Sequence, residues 1–303
     1  MKPNNLLPFA IATLVLLAAS KTTAQDLEPR SFSQAPTGMN FLVVALGHAQ
    51  GNMLFDQATT LEDVTGEVTS LAGAFVHTLD FFGVSAKATA IVPVVWGDWE
   101  GRYQGEQAQT SRRGFADPQF ELSVNFIGAP AMKMSEMRTY TQKWVVGASL
   151  KMAVPLGQYD SEKLINLGTN RWGFRPRLGA SYKSGPLSLE AIGSVWLFTK
   201  NDDFFGGALL EQEPLWAAQF SGVYQFRSKI WVGVGAGLSR GGRSKTNGIA
   251  SDTYKKNTRW AAMISVPVNP QHSLKLAYIN GLRTRVGSDF NQIKLAWSLR
   301  WGG

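Results

Sequence analysis

The stretch QIKLAWSLRW, residues 292–301, decides the fold. Its odd positions, Ile293, Leu295, Trp297, Leu299 and Trp301, are apolar; its even positions, Gln292, Lys294, Ala296, Ser298 and Arg300, are polar or small. Successive strand side chains point to opposite faces, so this alternation predicts a strand with one greasy and one wet face. Ten tilted residues also cross a hydrocarbon core of ~30 Å.

The same period recurs toward the N-terminus. Leu274, Leu276 and Tyr278 oppose Ser273 and Lys275, and Trp260, Ile264 and Val266 oppose Arg259 and Ser265. Val232, Val234, Ala236 and Leu238 oppose glycines and Ser239; Trp216, Phe220 and Tyr224 oppose Glu213, Gln219 and Ser221. Leu187, Leu189 and Leu197 oppose Ser188, Glu190 and Ser194; Trp172, Phe174 and Tyr182 oppose Arg175, Arg177 and Lys183. Trp144, Val146 and Leu150 oppose Lys143 and Lys151, and Phe120 and Leu122 oppose Glu121 and Ser123. Segment 84–96 carries Lys87 and Thr89 on its polar side, while the first two strands, near 39–48 and 68–79, alternate less regularly. The expected architecture is all-β: a transmembrane antiparallel up-and-down β-barrel of about 12 strands over residues 39–303. An even strand count returns both ends to one side of a membrane.

Connections support this. Short turns at Ser184–Pro186, Arg227–Lys229 and Asn269–Gln271 alternate with long polar loops near 98–114, 157–171, 200–211 and 241–257. The Met-rich turn 129–141 breaks the rule and is expected to carry a short helix or to lie across the lumen. Trp96, Trp172, Trp216 and Trp260 fall at one end of their strands, and Trp144 and Trp301 at the other, as two interfacial aromatic girdles would. A soluble β-sandwich is the rival, but a dozen strands of about ten residues would be long for one.

The 303 residues carry no cysteine and a net charge of +8. Without cysteine there is no lipobox, disulfide or thiolate metal site. Lys2 followed by the apolar run Leu6–Ala19 reads as an export signal, with Thr22 and Ala24 suiting a cleavage site, so residues 1–24 are expected to be removed. Fourteen residues fall short of the roughly 20 needed for a spanning helix. Cleavage removes Lys2 and Lys21 and no acid, leaving +6. A mean hydropathy of −0.09 is what alternating strands give. No nucleic-acid-binding motif accompanies the positive balance, so no nucleic-acid partner is expected.

The mature chain would open with Leu27-Glu28-Pro29-Arg30, then Pro36-Thr37-Gly38-Met39-Asn40-Phe41-Leu42. With the barrel pattern running to Trp301, it resembles the meta-pathway-of-phenol-degradation family of outer-membrane proteins. The resemblance covers essentially the whole mature chain. It implies an outer-membrane channel or transporter linked to aromatic compounds, and no catalytic residue.

If the apolar rows face lipid, the opposite rows line a lumen. The expected lumen residues are Lys87, Lys151, Arg175, Arg177, Lys183, Glu190, Glu213, Arg259, Lys275 and Lys294. Cations outnumber acids there, so the rows read either as a path favouring small anionic solutes or as ion pairs packing a narrow barrel. Segment 25–38 is expected in the periplasm or the lumen. Arg102, Arg112, Arg113, Lys245, Lys255, Lys256, Arg283 and Arg285 would meet lipopolysaccharide from the loops; other expected partners are membrane lipids, a small-molecule solute and the barrel-assembly machinery. No cofactor, metal site or enzyme activity is expected: on a strand the adjacent His272 and Ser273 point oppositely. The alternative to uptake of small hydrophobic or anionic solutes, aromatic ones included, is a non-conducting barrel binding surface partners. A lipid-modifying enzyme is the third reading.

Overall fold

A computed structural model describes residues 27–54, 61–103 and 105–303; the expected export signal lies outside these. The chain forms β1 (Met39–Leu54), β2 (Leu61–Phe81), β3 (Val84–Tyr103), β4 (Glu106–Phe115), β5 (Gln119–Ile127), β6 (Trp144–Ala153), β7 (Gly173–Ser184), β8 (Leu187–Phe198), β9 (Asn201–Phe204) and β10 (Ala208–Gln212). There follow β11 (Leu215–Gln225), β12 (Trp231–Gly241), β13 (Ser244–Thr246), β14 (Ile249–Ala250), β15 (Lys255–Pro267), β16 (His272–Arg283) and β17 (Gly287–Gly302). β1 pairs antiparallel with both β2 and β17, which closes the sheet. β4 and β5 occupy one wall position against β3, at Val94↔Phe115 and then Ile91↔Gln119. The closed wall therefore has twelve strands, and closure leaves no edge for another chain to pair with.

Every strand keeps one face outward. Phe75, Leu122, Leu178, Trp216, Phe220, Val234 and Leu295 remain 40–63% exposed. So much uncovered apolar area is at rest only against lipid. The short turns sit together at one end, at 82–83, 185–186, 226–230 and 268–271. The Met-rich segment is at that end too, with a 3-10 turn at Glu136–Arg138.

Three of the four long loops differ from expectation. Part of 98–114 is not a loop: β3 and β4 continue as a hairpin above the wall, with the outward Ser111 hydroxyl bonded to Asp98. Within 200–211 and 241–257, β9, β10, β13 and β14 form a separate four-stranded sheet capping the long-loop end. Strands of two to five residues are too short for alternation to reveal them.

The interior holds small separate clusters rather than one core. Phe32 packs with Ala129, Val145 and Ile192; Ile165 of the β6–β7 loop packs with Val68, Val95, Trp99 and Phe290.

Candidate functional site

The lumen is two-sided. On β1, β2 and β3 the inward residues include Val43, Ala49, Val68, Ala74, Ile91, Val95 and Trp99, with Lys87 as their cation. Around the rest of the wall, starting with β17 beside β1, strands β6, β7, β8 and β15–β17 turn inward Lys151, Arg175, Arg177, Lys183, Glu190, Arg259, Lys275 and Lys294.

Not all of these charges meet the path. Lys151, Arg175, Arg177, Glu190 and Arg259 are at most 7% exposed. Glu121 accepts from Arg177 at 2.8 Å and pairs with Lys151 at 3.5 Å. Arg175 donates Nε to Ser194 at 3.1 Å and lies over the Trp196 ring. Arg259 donates to the Ser288 carbonyl. Lys183 and Lys294 are half-buried on the wall, as is Lys275, whose ammonium pairs with Glu28. Glu213 is a correction: it precedes β11 in the capping region, half-exposed and 3.9 Å from Lys245, not on the lumen wall. Loops that fold into their own sheet carry the alternation past the barrel rim, so parity alone misplaces it.

Residues 27–38 run through the lumen at the short-turn end as a strap. Glu190 accepts the backbone N–H groups of Ser31 and Phe32, each at 3.0 Å. Hydrogen bonds to a charged group are each worth ~1.5–3 kcal/mol. Lys87 donates to the Ser31 carbonyl, and Lys275 pairs with Glu28. The Phe32 ring is 1% exposed and lies where a Cβ would stand on Gly147 and Gly179, a cross-strand pair, with Arg177 over its face at 5.7 Å. Larger residues at either glycine would evict the ring. The strap leaves through Gln34, bonded to the Pro130 carbonyl, and Thr37, bonded to Met132. It thereby packs against the Met-rich turn.

The opposite mouth is covered by the loop between β6 and β7. Asp117, buried between β4 and β5, accepts from Gly157 N, Thr169 N and Thr169 Oγ1 at 2.9, 2.9 and 2.6 Å. Arg112 holds the Ile165 carbonyl at 2.6 Å, and Ile165 and Leu167 rest on the apolar wall. At this mouth Arg171 donates to Gln212 and stacks on Phe198. Lys255 faces inward beside it, and its outward neighbour Lys256 is fully exposed, so this end of β15 stands above the apolar band. Burial with the like charge of Arg171 pulls the Lys255 ammonium down to about 8; burial lowers Arg171 to about 10 despite Asp117 and Tyr159. Of these groups, the sequence pointed to Arg112, Lys255 and Lys256 only as loop cations facing lipopolysaccharide. Phe32, lone in a polar pre-strand segment, and Asp117, beside Pro118, are the signals that went unread.

Trp96, Trp144, Trp172, Trp216, Trp260 and Trp301 all point outward. His272 Nδ1 accepts from Trp297 Nε1 at 3.2 Å. Among the described residues no group of three or more His, Asp or Glu side chains could hold a metal ion.

A closed twelve-stranded wall, lipid-exposed outside and charged within, defines a porin-like outer-membrane β-barrel of the Gram-negative type. The sequence profile described as "Putative MetA-pathway of phenol degradation" matches residues 54–297, and the chain belongs to that family. It is similar to the COG4313 outer membrane channel from Pseudomonas putida F1, with TM-score 0.77 and 17% identity over 91% of this chain and 100% of that one. The transport unit of the autotransporter AIDA-I from Escherichia coli is similar at TM-score 0.50 and 9% identity, over 92% and 93%. No curated protein matches the sequence.

Proposed function

We propose that the barrel passes small solutes having an apolar body and an anionic end, aromatic carboxylates and phenolates among them. The two-sided lumen carries this reading. Val43, Ala74 and Ile91, half-buried and aligned across β1–β3, offer an apolar slide along one wall, while Lys294 beside it, Lys275 and Lys183 put positive charge around the rest of the lumen. Fixed charge in a narrow low-dielectric passage selects by sign, and an apolar wall lowers the cost of carrying a ring. The family's phenol-degradation description and the channel similarity agree with it.

The strap and the loop make such passage gated rather than porin-like and open. Proteoliposomes holding the full-length barrel should take up benzoate several-fold faster than benzylammonium, and K275E/K294E should reverse that order. Equal rates for the two ions would overturn the charge preference. No flux of either, with the strap present or loosened, would leave a non-conducting barrel.

A further inference from the structure

On the outer wall at the extracellular end, Arg240 of β12 and Lys256 of β15 stand directly opposite one another, and Trp216 of β11 stands opposite Arg240. They share the lipid side with Leu238 and Trp260. Arg283 of β16 joins them beside Thr258. All three cations are exposed. Directly opposed like charges destabilise a sheet. Among the described residues none of the three pairs with a carboxylate; Asp252 is held by Arg285 and Glu213 lies nearest Lys245. Three cations side by side call for an anion from the surroundings. Each stands just past the apolar band of its strand, at headgroup height.

A second, independent feature adjoins the cations from below, sharing β12 and β15 with them. The outward rows there contain Ala191, Gly222 and Ala236, which leave an open groove of about 800 Å³ in the lipid-facing wall, running from Trp260 and Ala236 past Val234 and Phe220 to Tyr182 and Trp144 toward the short-turn end. Its position within the bilayer restricts its occupant to apolar chains reaching it from the membrane. Cations above and a chain-wide groove below fit one amphiphile.

We propose that this face binds a phosphorylated, acylated glycolipid of the outer leaflet, its phosphates on Arg240, Lys256 and Arg283 and one acyl chain in the groove. Of the other cations expected at the surface, Arg112 holds the β6–β7 loop and Arg285 pairs with Asp252, so they do not share this role. Arg–phosphate contacts are charge-assisted and bidentate, which favours phosphate over a zwitterionic headgroup.

The test titrates the detergent-solubilised full-length barrel with bis-phosphorylated lipid A, fully dephosphorylated lipid A and phosphatidylglycerol, reading bound lipid by native mass spectrometry. Bis-phosphorylated lipid A should bind at least tenfold more tightly than either of the others. R240Q/K256Q should lose at least tenfold, R113Q on the opposite rim should lose nothing, and A236F should weaken binding with the cations intact. Equal affinity for the dephosphorylated lipid, or for phosphatidylglycerol, would overturn the proposal. So would equal losses in R113Q and R240Q/K256Q, which would mean diffuse rim charge. A heat-modifiable gel shift checks that each variant is folded; should one fail, the three-lipid comparison on the unaltered chain still decides.

Discussion

Phe32 shows how one side chain can close a barrel. Its ring lies in a recess that exists only because positions 147 and 179 are glycine, and Glu190 fixes its backbone N–H and that of the residue before it. A buried Phe→Ala change costs ~3–5 kcal/mol in a protein core. Here the loss falls on the strap rather than on the wall. Phe32→Ala should therefore move the strap equilibrium toward release by about two to three and a half decades, read as a several-fold rise in mean conductance across a planar bilayer. The heat-modifiable transition of the barrel should stay in place. Conductance unchanged from the unaltered chain would show that Phe32 does not hold the closure. Glu190→Gln keeps one oxygen acceptor but turns an amide NH₂ toward a backbone donor, so it should loosen the strap as well, by less.

At the scale of elements, legibility followed burial of one face only. β17, β15 and β7 alternate cleanly because lipid lies outside and charge inside. β1 and β2 blur because their inward residues, Val43, Ala74 and Val76 among them, are as apolar as their outward ones. That irregularity marked the apolar half of the lumen, and the sequence alone offered no partner strand to reveal it. The capping sheet of β9, β10, β13 and β14 was hidden because its strands, two to five residues each, are too short for alternation to show. Contacts made across the lumen were also beyond reach, since nothing local ties Ser31 to Glu190 or Asp117 to Thr169. Asp117 is the pin of the β6–β7 loop. Asp117→Asn would set an amide against a donor and lose charge assistance, at a cost of ~1–3 kcal/mol. Lys163, half-exposed at the loop's tip, should then be cut by trypsin several-fold faster, with the barrel uncut. Cleavage at the rate of the unaltered chain would mean the apolar seat of Ile165 holds the loop without the pin.

For the whole molecule, the distribution of charge along the path matters more than the net value. Lys151, Arg175, Arg177 and Arg259 are consumed in the wall, so a count of cations overstates the field a solute meets. What remains is a sparse line: Lys255 with Arg171 at the outer mouth, then the half-buried lysines deeper in. Lys255 is the titratable step in that line. An ordinary lysine holds its proton to about pH 10.5, but this one gives it up near pH 8, because burial and Arg171 both disfavour its charged form. Arg171 stays charged throughout beside Asp117, and burial pushes the Tyr159 phenol upward, which keeps it neutral over this range. Raising pH from 7 to 9 therefore removes positive charge from the mouth and leaves its neighbours as they were. The reversal potential under a potassium chloride gradient should lose part of its anion preference over that interval. Lys255→Gln should begin at the high-pH value and stay flat. A pH course identical in Lys255→Gln and the unaltered chain would place the titrating group elsewhere and remove Lys255 from the path.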